Sequence, residues 1–138
     1  MSVGVRVGSI VDEVGASSFF NSFFATIWGL LEPNGPGTKY PIVSREFYEG
    51  RIPPEHVEKA LEELKEIRNE LEKFPPTAVI WDYDDRSKQP PWGKDISSDI
   101  TSMSNYFVSS TGRDLFELLV EAFDDAVKNK SEVTIEEI

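Results

Sequence analysis

Along residues 3–14, Val3, Val5 and Val7 alternate with Gly4, Arg6 and Gly8 before the apolar pattern continues through Ile10 and Val11. A period of two predicts a strand with one buried face, and its glycines predict a bend or a close neighbour. The period then changes. Gly15-Ala16-Ser17 offers a turn and an N-cap, after which Phe19, Phe20, Phe23, Phe24, Ile27, Trp28, Leu30 and Leu31 recur at helical spacing until Pro33 stops them. This is the expected core helix.

Residues 32–37, rich in Pro, Gly and Asn, form a loop. A short piece with helix-compatible spacing follows at 42–48 and Gly50 closes it. From Pro54 the apolar residues Val57, Leu61, Leu64, Ile67, Leu71 and Phe74 repeat every three or four positions, and Pro75-Pro76 ends the helix they define. The β-branched and aromatic run 77–81 predicts a second strand, closed by Asp82-Tyr83-Asp84-Asp85. A long loop containing Pro90-Pro91-Trp92-Gly93 leads to a short strand expected at 104–108. Thr111 with Asp114 resembles a capping pair for a last helix, whose apolar face is Leu115, Phe116, Leu119, Phe123, Ala126 and Val127. Residues 132–138 alternate weakly, as a final edge strand would. No internal repeat or hinge linker divides the chain. The expected fold is therefore α+β: a single domain, 1–138, with a small sheet packed against about three main helices.

Composition sharpens this picture. A chain of 138 residues with nine Phe, three Trp and four Tyr can bury roughly two thirds of its unfolded surface without cross-links. The absence of cysteine excludes disulfides, thiol catalysis and thiolate metal sites. Met1 and the residues after it lack the apolar run of a secretory signal. The apolar stretch 16–31 is broken by Ser17, Ser18, Asn21, Ser22 and Thr26, so it falls short of the about 20 apolar residues a membrane span needs. A soluble, cytoplasmic protein is expected. The net charge of -11 repels nucleic acid and anionic membranes and suits a basic protein partner. Acidity for solubility alone is the competing explanation.

Catalytic candidates are thin. Asp82, Asp84 and Asp85 after a strand could hold a divalent metal, but no phosphate loop accompanies them, and a solvated turn explains them more simply. His56 has no second histidine or cysteine with which to bind a metal. No cofactor, metal site or enzymatic activity is expected. The polar side of the long helix says more. Glu58, Glu62, Glu66 and Glu70 stand at successive i,i+4 positions, and Asp114, Glu117, Glu121 and Asp124 or Asp125 repeat the theme on the last helix. Like-charged neighbours at this spacing cost a few tenths of a kcal/mol each, relieved in part by Lys59, Lys65, Arg68 and Lys73. Two ridges that oppose helix stability point to a partner-facing surface, although a plain solvated face explains either ridge alone. In the 83–98 loop, Tyr83 and Trp92 are candidate interface anchors, and Trp92 could equally fold back over the core.

The amino-terminal half carries Val5-Arg6-Val7-Gly8-Ser9-Ile10, Ser18-Phe19-Phe20-Asn21-Ser22-Phe23-Phe24, Leu31-Glu32-Pro33-Asn34-Gly35 and Lys39-Tyr40-Pro41. Trp81-Asp82, Lys88-Gln89-Pro90-Pro91-Trp92-Gly93, Ser104-Asn105-Tyr106-Phe107-Val108 and Gly112-Arg113-Asp114-Leu115-Phe116 follow. In these segments the chain resembles the bacterial polymorphic-toxin immunity proteins of the immunity protein 70 family. The resemblance implies a protein that binds the effector domain of a secreted toxin, as in contact-dependent inhibition, and it brings no catalytic residues. Joined to the acidic ridges, it makes the expected partner a basic toxin domain, such as a nuclease. Partner contacts are expected at Glu58, Glu62, Glu66, Glu70, Tyr83, Asp84, Asp85, Trp92, Asp114, Glu117 and Glu121.

Overall fold

The computed structural model describes residues 2–91 and 96–138. The expected first strand is in fact a hairpin, β1 (Ser2–Val7) and β2 (Ile10–Ala16), paired antiparallel from Val7 opposite Ile10. Gly8 turns the chain with φ +61 while Ser9 keeps a negative φ, as a two-residue turn with glycine first requires. Opposite Val7 and Val5, β2 sets Ile10, which is 61% exposed, and Asp12, while Val14 is the residue of β2 that joins the core, so the apolar alternation does not run through the turn as one buried face.

Helix α1 (Ser17–Leu31) follows directly, with Ala16 at its N-cap and no side-chain capping bond, contrary to the cap expected there. A six-residue π-helical segment, Ile42–Phe47, leads to the short β3 (Arg51–Ile52). One 3-10 turn, Pro54–His56, precedes α2 (Val57–Leu71), which stops before Phe74. Helix α3 (Leu115–Asn129) begins at Asp114, whose carboxylate accepts the Glu117 N–H at 3.1 Å. The cap is therefore Asp114 and not Thr111. Strand β4 (Val133–Glu137) completes an antiparallel sheet ordered β2-β1-β4-β3. The last strand is thus interior, because β1 and β3 pair with its two edges.

Two expected strands do not form. Residues 77–81 take up a 3-10 turn, Pro76–Ala78, and then an irregular path. The backbone of Ile80 is satisfied by helix α1: its N–H donates to Thr26 Oγ1 at 3.0 Å, and its C=O accepts from Ser22 Oγ at 2.7 Å and Thr26 Oγ1 at 3.2 Å. Side-chain partners have replaced the ladder a strand would need. In 104–108 only Val108 makes a bridge, to Asp114. Ser110 N–H caps the outer edge of β2 by donating to the Val14 C=O at 2.9 Å, which shields part of that edge.

Val3, Val5, Val133 and Ile135 share the covered sheet face, while Arg6 and Glu136 pair at 2.8 Å on the other. Helix α3 packs on β1, and α2 on α3. Phe rings fill the space between, with edge contacts such as Phe23–Phe107 at 5.4 Å and Phe47–Phe123 at 5.1 Å. Each such pair contributes about 0.5–1.5 kcal/mol beyond area burial. No described helix is long and apolar enough to cross a membrane.

Candidate partner-binding surface

The expected contact residues that are described fall on three separate regions. On α2, Glu58, Glu62 and Glu66 are exposed and make no ion pair among the described residues. Glu70 is half-buried and bonded to Lys73 at 2.8 Å, which lowers its pKa. Glu62 and Glu66, with Lys59 and Glu63, line a groove against Thr38, Lys39, Tyr40 and Pro41. Burial, followed by the Glu66 carboxylate alongside it, raises the Tyr40 hydroxyl's pKa.

The ridge on α3 is mostly occupied by partners within the chain. Asp114 is the helix cap, Glu117 lies 3.9 Å from Arg68, Glu121 binds Arg113 at 2.9 Å and Asp124 binds Lys128 at 2.9 Å. Leu61, Lys65 and Arg68 of α2 share the groove that Glu117, Val120 and Glu121 line on α3. The two acidic ridges are thus divided by a basic strip. Their like-charge cost is relieved inside the molecule, mainly on α3.

The third region is a groove of 270 Å³ beside α1. Its floor is Ser18, Asn21, Ala25 and Trp28, residues spaced three, four and three apart that form one stripe along the helix. Tyr48 and Tyr83 stand edge-on against the Trp28 ring, with centroids at 4.8 and 5.4 Å and interplanar angles of 79° and 86°. Gly29 lets the 80–86 segment come this close: a Cβ there would lie 2.1 Å from Ile80 Cδ1. Trp81, Asp82, Asp84 and Lys88 complete the lining. Sequence reasoning assigned Trp28 wholly to the core and passed over Tyr48, which is 43% exposed. The polar pair Ser18 and Asn21 on the Trp28 stripe was the available signal that this side of α1 faces outward.

The acidic turn is self-contained. Asp82 Oδ1 accepts the N–H groups of Asp84 and Asp85 at 2.9 and 3.3 Å, and its Oδ2 lies 3.3 Å from Lys88 Nζ. These contacts, the Asp84 amide first, lower the Asp82 pKa. Asp85 accepts from the Ser87 hydroxyl and amide, which lowers its pKa as well. Among the described residues no three carboxylates or histidines gather as a metal site. Asp84 has a side chain without such a partner among the described residues. Trp92, the other expected anchor, lies outside the described residues.

Two carboxylates that the sequence did not single out are buried, and both organise the chain after α1. Glu32, 1% exposed, accepts the N–H groups of Gly37, Lys39 and Tyr40 at 2.9–3.1 Å on one oxygen and the Ser44 hydroxyl on the other. Glu63 reaches from α2 to accept the N–H groups of Ile42 and Val43 at 3.1 and 2.9 Å, capping the π-helical segment. Burial raises the Glu63 pKa, and these amides oppose the shift. His56 is a surface residue, as expected, with Nδ1 2.7 Å from Glu46 Oε1.

No curated protein and no solved structure matches the chain. The family model of Immunity protein 70 matches residues 5–135, a span that takes in most of the hairpin, all three helices and every contact residue named above. The chain belongs to the Immunity protein 70 family, and membership implies an immunity protein of a toxin system.

Proposed function

We propose that the protein docks on the effector domain of a cognate secreted toxin, in a contact-dependent inhibition or related system, and blocks it sterically and electrostatically. The family match over residues 5–135 carries this reading. Charge supports the choice of partner. With a net charge of -11 and carboxylates at Glu58, Glu62 and Asp84 that make no ion pair among the described residues, the surface complements a basic domain and speeds its encounter. A nuclease has such a domain, since it must attract phosphate. Tyr83 supplies an aromatic anchor, with Trp28 and Tyr48 beside it, and the α2 ridge supplies long-range attraction. The complex forms in the cytoplasm of the producing cell, where no catalysis by the immunity protein is needed. The test is coexpression with the effector domain encoded next to this chain's gene: cells survive and a complex copurifies. Cell death without a complex would overturn the proposal.

A further inference from the structure

The groove beside α1 has a specific chemistry. Trp28, Tyr48 and Tyr83 present aromatic walls at nearly right angles, and Asp82 and Asp84 place carboxylates at its mouth. Aromatic faces and carboxylates together favour a cation, and a planar guanidinium best of all, because it stacks on a ring while donating paired hydrogen bonds. The chain itself illustrates the affinity: the guanidinium carbon of Arg86 lies 5.2 Å from the Tyr83 ring centroid. Lys88 is the one cation lining the groove among the described residues, and it holds Asp82 through a single contact at 3.3 Å while 59% exposed. Pairs of that kind contribute little and exchange readily.

We infer that this groove receives an arginine side chain of the toxin domain, stacked against Trp28 and its flanking tyrosines and paired with Asp84. The inference rests on the toxin-binding reading and adds the chemistry of one contact.

The probe is N-acetyl-arginine-N-methylamide, titrated into the full chain while the Trp28 indole N–H resonance is followed, with Trp28→Phe assigning it. The citrulline analogue has the same shape without the charge, and the lysine analogue has the charge without the plane. Saturable binding of the arginine probe is expected, at least about threefold tighter than either analogue, as a partly exposed cation–π contact implies. Asp84→Asn should weaken binding by about three- to fivefold, and Lys88→Gln should tighten it by about twofold, as removal of a weak surface competitor predicts. No saturable shift, or equal binding of the citrulline analogue, overturns the inference; equal binding of the lysine analogue overturns the guanidinium assignment. Tyr48→Ala and Asp84→Asn are then tested against the effector domain. If the wild type neutralises the toxin and both variants do so equally well, the groove is not the contact and the immunity reading stands. If the wild type forms no complex, that reading falls, while the probe titration still judges the groove.

Discussion

Glu32 is the residue on which most local structure depends. Its carboxylate gathers three amide protons and a hydroxyl, and its position behind the last turn of α1 commits the following loop to fold back toward α2. Nothing in the spacing around Glu32 distinguishes it from a solvated glutamate, since its partners are the amides of Gly37, Lys39 and Tyr40 and the Ser44 hydroxyl, whose directions only the folded loop sets. Glu32→Ala strands several buried donors and should lower stability by about 3 kcal/mol or more in urea unfolding; a loss near zero would mean that water replaces the carboxylate. His56 offers a test by titration. The hydrogen bond to Glu46 raises its pKa above the ordinary 6.5, so the folded state holds the proton more tightly than the unfolded one. The resulting stabilisation is fully present below about pH 6.5 and is lost as pH rises through the folded-state midpoint. An NMR titration should place that midpoint above 6.5 in the wild type and closer to it in Glu46→Gln, whereas identical midpoints would remove Glu46 as the cause.

Among the elements, α2 and α3 were legible because their apolar stripes face a core and their polar stripes face water, so a period near 3.6 is written directly into the residue order. The segment 77–81 was not legible, because β-branched residues suit any extended, half-buried chain and only the hydrogen-bond partner decides whether such a chain joins a sheet. Here the partner is α1. Thr26→Val keeps the side-chain volume but removes the hydroxyl that accepts from Ile80 N–H and donates to its C=O; about 1–3 kcal/mol should be lost for the buried amide left unpaired. If stability is unchanged, the Ile80 backbone has another partner. Gly29→Ala should disturb the groove without emptying the core, because the added methyl must push Ile80 away from α1. A gain of up to about 1 kcal/mol in helix propensity opposes roughly 1–3 kcal/mol of overpacking, so the expected outcome is a modest net loss with a changed tryptophan fluorescence spectrum. An unaltered spectrum would show that the 80–86 segment does not rest on Gly29.

For the whole molecule, the distribution of charge matters more than its sum. Reversing Glu58, Glu62 and Glu66 to Lys touches no ion pair among the described residues, so it should leave the thermal midpoint within a few degrees while slowing association with a basic toxin domain and flattening its salt dependence. The same reversal on α3 would fail as a clean test, since Asp114 is a cap and Glu121 holds Arg113. An α2 variant with unchanged association kinetics would remove that ridge from the encounter surface. By itself the sequence determined the α+β class, the three main helices, the acidic field and the family resemblance. Each of these depends on residue type and local period, which any conformation of the chain carries. It also placed Tyr83 and Asp84 at a candidate contact. Tertiary structure alone decided that the first strand is a hairpin, that the last strand lies inside the sheet and that residues 77–81 bond to a helix. It alone brought Trp28 and Tyr48 beside Tyr83, separated the two acidic ridges and turned Glu32 and Glu63 inward. Most of those outcomes rest on which distant groups meet, and contacts such as Trp28 with Tyr48 and Tyr83, or Ile80 with Ser22 and Thr26, leave no periodic trace along the chain; the short-range bonds of Glu32 depend instead on the path of the folded loop.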